Sequence, residues 1–343
     1  MVSAIRVGIM GFGRTGRTIF RILHGRADME VAAICDMAPA NELLYLLKFD
    51  TLYGRFGEPV SATGSELRVR DHSIPFWSEN RRDEVPPWSQ AKVDVVVDCT
   101  ARELSRADLQ KHLDAGAPRV VLGAPSVGPV DLVLVRGLND SDLRREHRVV
   151  GLFSPTVACV APILSILDEA FGIERAFFDA VHAYTNAHRL ADVPLADKRR
   201  GRSAAENIIP QESRSEAILS ELLPALSGRL VGSAVDVPVA NGSVVDLTCW
   251  HSKPVGVEAL VDVVRRAAAS ERWKGIVACE EEEIVSSDVT RSAYSCVFDA
   301  PATMTLGAKM SKTLCWLDSG WAFAERIVEV AARLAALDFE AAA

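Results

Sequence analysis

The chain has 343 residues, 49% of them hydrophobic and 24% charged, with a formal net charge of −8. That length suits two domains of ordinary size and that apolar fraction a large core. The charge argues against a nucleic-acid binder, and no run of ~18 apolar residues is present to make a membrane span.

The N-terminus, Met1-Val2-Ser3-Ala4, enters a strand pattern at once. It lacks the charged start and apolar stretch of a secretion signal. The pattern predicts strands at Ile5–Met10, Val31–Cys35, Val93–Cys99, Val120–Gly123, Leu132–Val135 and Arg148–Leu152. Their continuous Val, Ile and Leu character fits strands buried on both faces of a parallel sheet. Helical patterns intervene at Arg17–His24 and Ser105–Ala115, so the first half reads as a doubly wound α/β fold. From about Ser154 the style changes. A helix is expected at Val160–Phe171 and a strand at Ala176–His182. A polar segment rich in Arg and Asp follows, from Thr185 to Arg202. Further strands are expected at Leu230–Val237, Val244–Cys249, Ser295–Phe298 and Thr313–Trp316, with a helix at Val257–Ala269. That order suggests a mixed, mainly antiparallel second sheet. Apolar residues at helical spacing over Ala322–Leu337 suggest a last helix that packs back on the first domain. The expected domains are residues 1–153 with 318–343, and 154–317. The seven cysteines stand singly along the chain. Dispersed thiols fit burial in a reducing cytoplasm better than disulfides or zinc.

Gly11-Phe12-Gly13-Arg14-Thr15-Gly16 follows a strand and opens a helix, which is the setting that a G-x-G-x-x-G dinucleotide turn requires. Gly11 permits the tight turn, Gly13 lets a pyrophosphate approach the backbone, and Gly16 lets the helix pack against the strand. The helix start offers free N–H groups to phosphate. Asp36 ends the next strand, where its carboxylate can accept hydrogen bonds from ribose hydroxyls. It would repel a 2′-phosphate, so NAD is favoured over NADP.

Several segments carry a resemblance to the glyceraldehyde-3-phosphate dehydrogenase family. They include the run from Val7 to Arg17, Phe49-Asp50-Thr51-Leu52-Tyr53-Gly54 and Gly123-Ala124-Pro125-Ser126. Further along are Val181-His182-Ala183-Tyr184-Thr185-Asn186, Asn207-Ile208-Ile209-Pro210, Val244-Val245-Asp246-Leu247-Thr248 and Val285-Ser286-Ser287-Asp288. Their order along the chain is also that of the family. The resemblance implies a Rossmann NAD-binding domain and an α+β catalytic-type domain. It also implies a homotetramer, in which the loop at about Thr185–Arg202 lies near a neighbouring subunit's cofactor.

The chain departs from that pattern where chemistry is concerned. The family's Ser-Cys-Thr-Thr-Asn-Cys run reads Ser154-Pro155-Thr156-Val157-Ala158-Cys159, which puts Pro155 at the position of the nucleophile. A pyrrolidine ring offers no lone pair for covalent catalysis and no amide N–H for the substrate oxygen. Cys159 matches the family's second cysteine and is expected to be a buried helix thiol. His182 matches the family's base. It is either an acid/base for a substrate hydroxyl or carbonyl, or a retained relic. His188 stands where the family has glutamine and is read as polar surface.

Of the phosphate ligands that the resemblance implies, Thr185 keeps a threonine, but Asp236 replaces an arginine and reverses the local charge. In the other pocket Ser154 and Thr156 match and Ser213 falls on a threonine. Arg214 falls on a glycine, and either serves as that pocket's cation or forms a salt bridge with Asp236 or Glu212. At the nicotinamide end Ser319 replaces the asparagine that orients the carboxamide, and Met10 also replaces an asparagine. The expectation is an NAD-dependent oxidoreductase that acts on a small carbonyl or hydroxyl substrate without a thioester. An inactive paralogue that binds cofactor or partner, and an enzyme that uses tightly held NAD without net redox change, stay open as alternatives.

Overall fold

The structure is a computed structural model and describes residues 4–78, 84–213 and 215–339. The chain forms two compact units. One holds the chain up to Val135, Asn139–Phe153 and everything from Ala324; the other holds Arg136–Leu138 and Ser154–Phe323.

The first unit opens with β1 (Ile5–Met10), α1 (Arg14–His24), β2 (Met29–Asp36) and α2 (Ala40–Lys48). Five short strands follow: β3 (Phe49–Asp50), β4 (Gly54–Arg55), β5 (Val60–Ala62), β6 (Glu66–Val69) and β7 (His72–Ser78). Then come α3 (Trp88–Ala91), β8 (Val95–Asp98), α4 (Arg106–Asp114), β9 (Val120–Leu122), β10 (Leu132–Leu134) and β11 (Val149–Leu152). Nine strands pair in the order β10-β11-β9-β8-β1-β2-β7-β6-β5. The run from β10 to β7 is parallel, and β6 and β5 add antiparallel. Ile9, Val95, Val96, Val97, Val120, Val121, Val149 and Val150 are all fully buried, which is why these strands read as unbroken apolar runs. The doubly wound expectation holds. The sequence pattern did not reveal α2 or the β5–β7 meander, whose polar and apolar residues mix as they do in edge strands.

A buried chain of side chains braces the end of β8. Trp88 Nε1–H donates to His112 Nδ1 at 3.0 Å, leaving Nε2 of that ring to donate to Asp98 Oδ2 at 3.2 Å. Asp98 Oδ1 accepts from the Thr100 amide and hydroxyl at 3.0 and 2.6 Å. The chain then turns through Ala101 at φ +56°, the left-handed region that costs an L-residue roughly 1–2 kcal/mol.

The second unit contains α5 (Pro155–Phe171), β12 (Ile173–Ala183), β13 (Ile209–Glu212), α6 (Ser215–Leu222), β14 (Leu230–Val237) and β15 (Ser243–His251). It continues with α7 (Val257–Ala268), β16 (Val277–Glu280), β17 (Cys296–Leu306) and β18 (Met310–Leu317); α8 (Trp321–Phe339) ends the chain, and from Ala324 onward that helix belongs to the first unit. The sheet order is β13-β14-β12-β15-β18-β17-β16. The pairs β12/β14 and β16/β17 are parallel and the rest antiparallel, a mixed, mainly antiparallel sheet. α5 starts five residues earlier than its apolar spacing suggests. Pro155 is its first helical residue and the Ser154 hydroxyl caps it by accepting from the Val157 amide at 3.3 Å. Proline suits that position because its missing N–H would have had no helical partner. Strand alternation buries Ala176, Phe178 and Ala180 of β12 and turns Phe177 outward, 42% exposed.

Ala101→Gly should stabilise the protein by about 0.5–1 kcal/mol, because glycine occupies the left-handed region without the Cβ penalty. Thermal unfolding of the two proteins side by side checks this; a lower midpoint for the glycine variant would refute the strain.

Candidate functional site

The glycine turn of the first unit is built by steric necessity. Gly11 sits at φ +88°, and a Cβ there would lie 2.9 Å from the Thr100 amide nitrogen. A Cβ on Gly16 would lie 2.1 Å from the Gly11 carbonyl oxygen, so only hydrogen lets α1 approach β1 this closely. A Cβ on Gly13 would meet nothing within 4 Å. The space above Gly13 is therefore open. Gly13 caps α1 without a side-chain hydrogen bond, and the first capping bond runs from the Arg17 amide to the Gly13 carbonyl at 3.0 Å. The N–H groups of Arg14, Thr15 and Gly16 are thus left for a ligand.

Asp36 fixes the turn from the next strand. Its Oδ2 accepts from the Phe12 amide at 2.6 Å and its Oδ1 from the Ala38 amide at 2.9 Å. Each oxygen keeps a lone pair for a ribose hydroxyl. Phe12 is fully buried against Phe20 and Phe76, with ring centroids 5.5 and 6.4 Å away. An open cradle, an uncapped helix start and a pinned carboxylate fit a dinucleotide.

The second unit gathers a separate polar cluster. The register of parallel β12 and β14 sets His182 beside Asp236, with Ile209 of β13 on the other flank of Asp236. Asp236 is 3% exposed. Its Oδ2 lies 2.7 Å from His188 Nε2, and its Oδ1 lies 3.8 Å from His182 Nδ1. Among the described residues no lysine or arginine pairs with it. His182 Nε2 is 2.9 Å from the Thr156 hydroxyl at the start of α5. His188 Nδ1 accepts from the Thr185 amide at 2.9 Å, and the Thr185 hydroxyl lies 3.2 Å away. Burial pushes the His182 imidazole below its ordinary range; Asp236 pulls it back up in part, and His188 pushes it down again. That net lowering favours the neutral ring, the form able to take a proton.

The reading of His188 as polar surface is corrected by this geometry. Its side chain is only 7% exposed and bonds the buried carboxylate. The local signal was the Thr-x-x-His spacing, which closes a turn from the His188 amide to the Thr185 carbonyl at 3.1 Å. The partner Asp236 lies 48 residues on, beyond the reach of any local pattern. Cys159 is fully buried in α5, its thiol against those of Cys296 and Cys315. Ser213 is half-buried and accepts from the Ser215 amide at 3.3 Å. Arg214 lies outside the described residues. Ser319 is half-buried at the turn into α8, where Asp318 Oδ1 holds the amides of Gly320 and Trp321 at 2.9 and 2.8 Å. Met10 is buried at the end of β1.

Gly13→Ala should leave the melting temperature nearly unchanged, since the new methyl meets nothing, yet weaken NAD binding about tenfold or more by filling the open cradle. Gly16→Ala should lower both. Calorimetric NAD titration beside thermal unfolding separates the two; equal NAD affinity in wild type and Gly13→Ala would contradict the placement of the cradle.

Comparisons with known proteins agree with this architecture. Residues 5–106 match the family described as glyceraldehyde 3-phosphate dehydrogenase, NAD binding domain, and residues 154–319 match its C-terminal domain. A glyceraldehyde-3-phosphate dehydrogenase of Geobacillus stearothermophilus is 41% identical over 97% of this chain and 98% of its own length. One of Streptomyces coelicolor is 39% identical over 95% and 97%, and glyceraldehyde-3-phosphate dehydrogenase 1 of Bacillus subtilis is 37% identical over 97% and 98%. Taken with the cradle that the first unit builds, these matches establish that the chain is an NAD-binding member of the glyceraldehyde-3-phosphate dehydrogenase family of oxidoreductases.

Proposed function

We propose that this chain is a redirected oxidoreductase that moves hydride between NAD and a small hydroxyl or carbonyl substrate without a thioester, and is not a phosphorylating glyceraldehyde-3-phosphate dehydrogenase. The observation that carries this is the pairing of a neutral, 34% exposed His182 with a buried Asp236, in a unit whose α5 begins with Pro155. Thiols are poorly placed to substitute. Six of the seven cysteines are buried, and the half-buried Cys279 stands on β16, four strands from β12, roughly 19 Å at ordinary strand spacing.

NAD, when bound, supplies the hydride acceptor or donor. His182 moves the proton. In alcohol oxidation its Nε2 takes the hydroxyl proton as a carbonyl forms; in reduction it returns that proton. The Asp236 carboxylate, beside Nδ1, offsets the charge of the imidazolium. Thr156, bonded to Nε2, occupies the place a substrate hydroxyl takes. Asp236 also sets the substrate class. A phosphate brought to Thr185 and Asp236 would meet a buried carboxylate with no lysine or arginine partner among the described residues, whereas a hydroxyl or amine would find an acceptor. Ser154, Thr156 and Ser213 are the residues we assign to a second, altered pocket. Gly11, Phe12, Gly13, Arg14, Thr15, Gly16 and Asp36 hold the cofactor, and Ser319 takes its nicotinamide end.

The working form is a homotetramer. The register places Val231, Phe177 and Thr248 in one row across the sheet, extended by Lys312 and Met304. Val231, Phe177 and Met304 are 56%, 42% and 52% exposed, an apolar face of the kind that association covers. Light scattering should find four chains per particle; a monodisperse monomer would refute this assembly.

Turnover, followed at the reduced-nicotinamide absorbance band over a panel of small alcohols, aldehydes and ketones, tests the activity. His182→Ala should cut kcat/KM by roughly 10²–10⁴-fold. Alcohol oxidation should fall only below about pH 6.5, the ordinary histidine value, because in that direction the free base takes the proton and its pKa is lowered. Asp236→Asn removes the charge that raises that pKa, so its acid limb should lie lower still. Pro155→Cys should not restore oxidation of glyceraldehyde 3-phosphate, since Asp236 still opposes the phosphate. Robust activity of that variant, or turnover indifferent to His182, would overturn the reading.

A further inference from the structure

His188 has no part in the hydride chemistry described above, yet both of its ring nitrogens are engaged. The Thr185 amide can only donate, so Nδ1 is the unprotonated nitrogen and Nε2 carries the hydrogen. That Nε2–H donates to Asp236 Oδ2 at 2.7 Å. The ring is also tied through its backbone, since the His188 amide closes the turn onto the Thr185 carbonyl. Gln211 reaches the same nitrogen from β13, at 3.4 Å.

We infer that His188 is a positioning residue, which clamps one oxygen of the buried Asp236 so that the other faces His182. With Oδ2 held, Oδ1 is left 3.8 Å from His182 Nδ1. The carboxylate therefore supports the imidazolium without drawing His182 off the Thr156 hydroxyl into a direct ion pair. The Thr185 bond also keeps Nδ1 turned to the backbone, so the ring presents its Nε2–H to the carboxylate. The charged and titratable groups facing His182 are Asp236 from β14, His188 from the segment after β12 and Asp179 from β12 itself. The consequence for turnover rests on His182 as acid/base; the positioning does not.

Nitrogen-15 NMR of the histidine rings in the full NAD-loaded chain tests this without turnover. In wild type the His188 ring should show the Nε2–H tautomer. His188→Ala frees Oδ2 to turn toward His182, so the His182 midpoint should rise by about half a unit or more. His188→Gln keeps an N–H donor for Oδ2 and should stay near wild type. In any substrate assay the alanine variant should lose about tenfold in kcat with little change in KM, and glutamine should recover most of it. An Nδ1–H tautomer in wild type, or a folded His188→Ala protein whose His182 titrates as before, would overturn the inference. If the rings behave as expected while no substrate turns over, the clamp stands and the oxidoreductase reading falls.

Discussion

A single buried carboxylate organises the second unit. Asp236 is taken out of water on β14, and two imidazoles answer it rather than a guanidinium. Leaving a buried polar group without its partner costs about 1–3 kcal/mol, and more for a charge. The surrounding chain has to supply donors, and it does so through the turn that carries His188. The β12/β14 register also brings His182 to that carboxylate, so the same charge faces a second imidazole.

Family membership and departure from the family therefore sit in different places. The first unit retains what backbone geometry demands: a left-handed glycine, a glycine with room above it, and a glycine jammed against a carbonyl. These features bind a dinucleotide whatever chemistry follows. The second unit has the mixed sheet, a capped α5 and two imidazoles gathered at Asp236. A proline in the first turn of a helix costs the fold nothing, so Pro155 leaves α5 intact.

The sequence was most legible where one physical demand acts locally. The buried parallel strands read as Val and Ile runs, and the glycine turn read from spacing and context. Boundaries blurred where apolar spacing alone was read: the helix expected from Val160 begins at Pro155, whose ring suits a first helical position. The β5–β7 meander hid because edge strands carry polar residues. His188 escaped because its burial depends on a partner in a strand 48 residues later, which no local pattern encodes.

Intact-protein mass spectrometry on samples acid-quenched during turnover tests the central claim most directly, since it sees any acyl group carried by the chain. The account predicts an unmodified mass at every time point while reduced nicotinamide accumulates. An adduct of acyl mass that maps to a cysteine, formed and discharged at the rate of turnover, would contradict it.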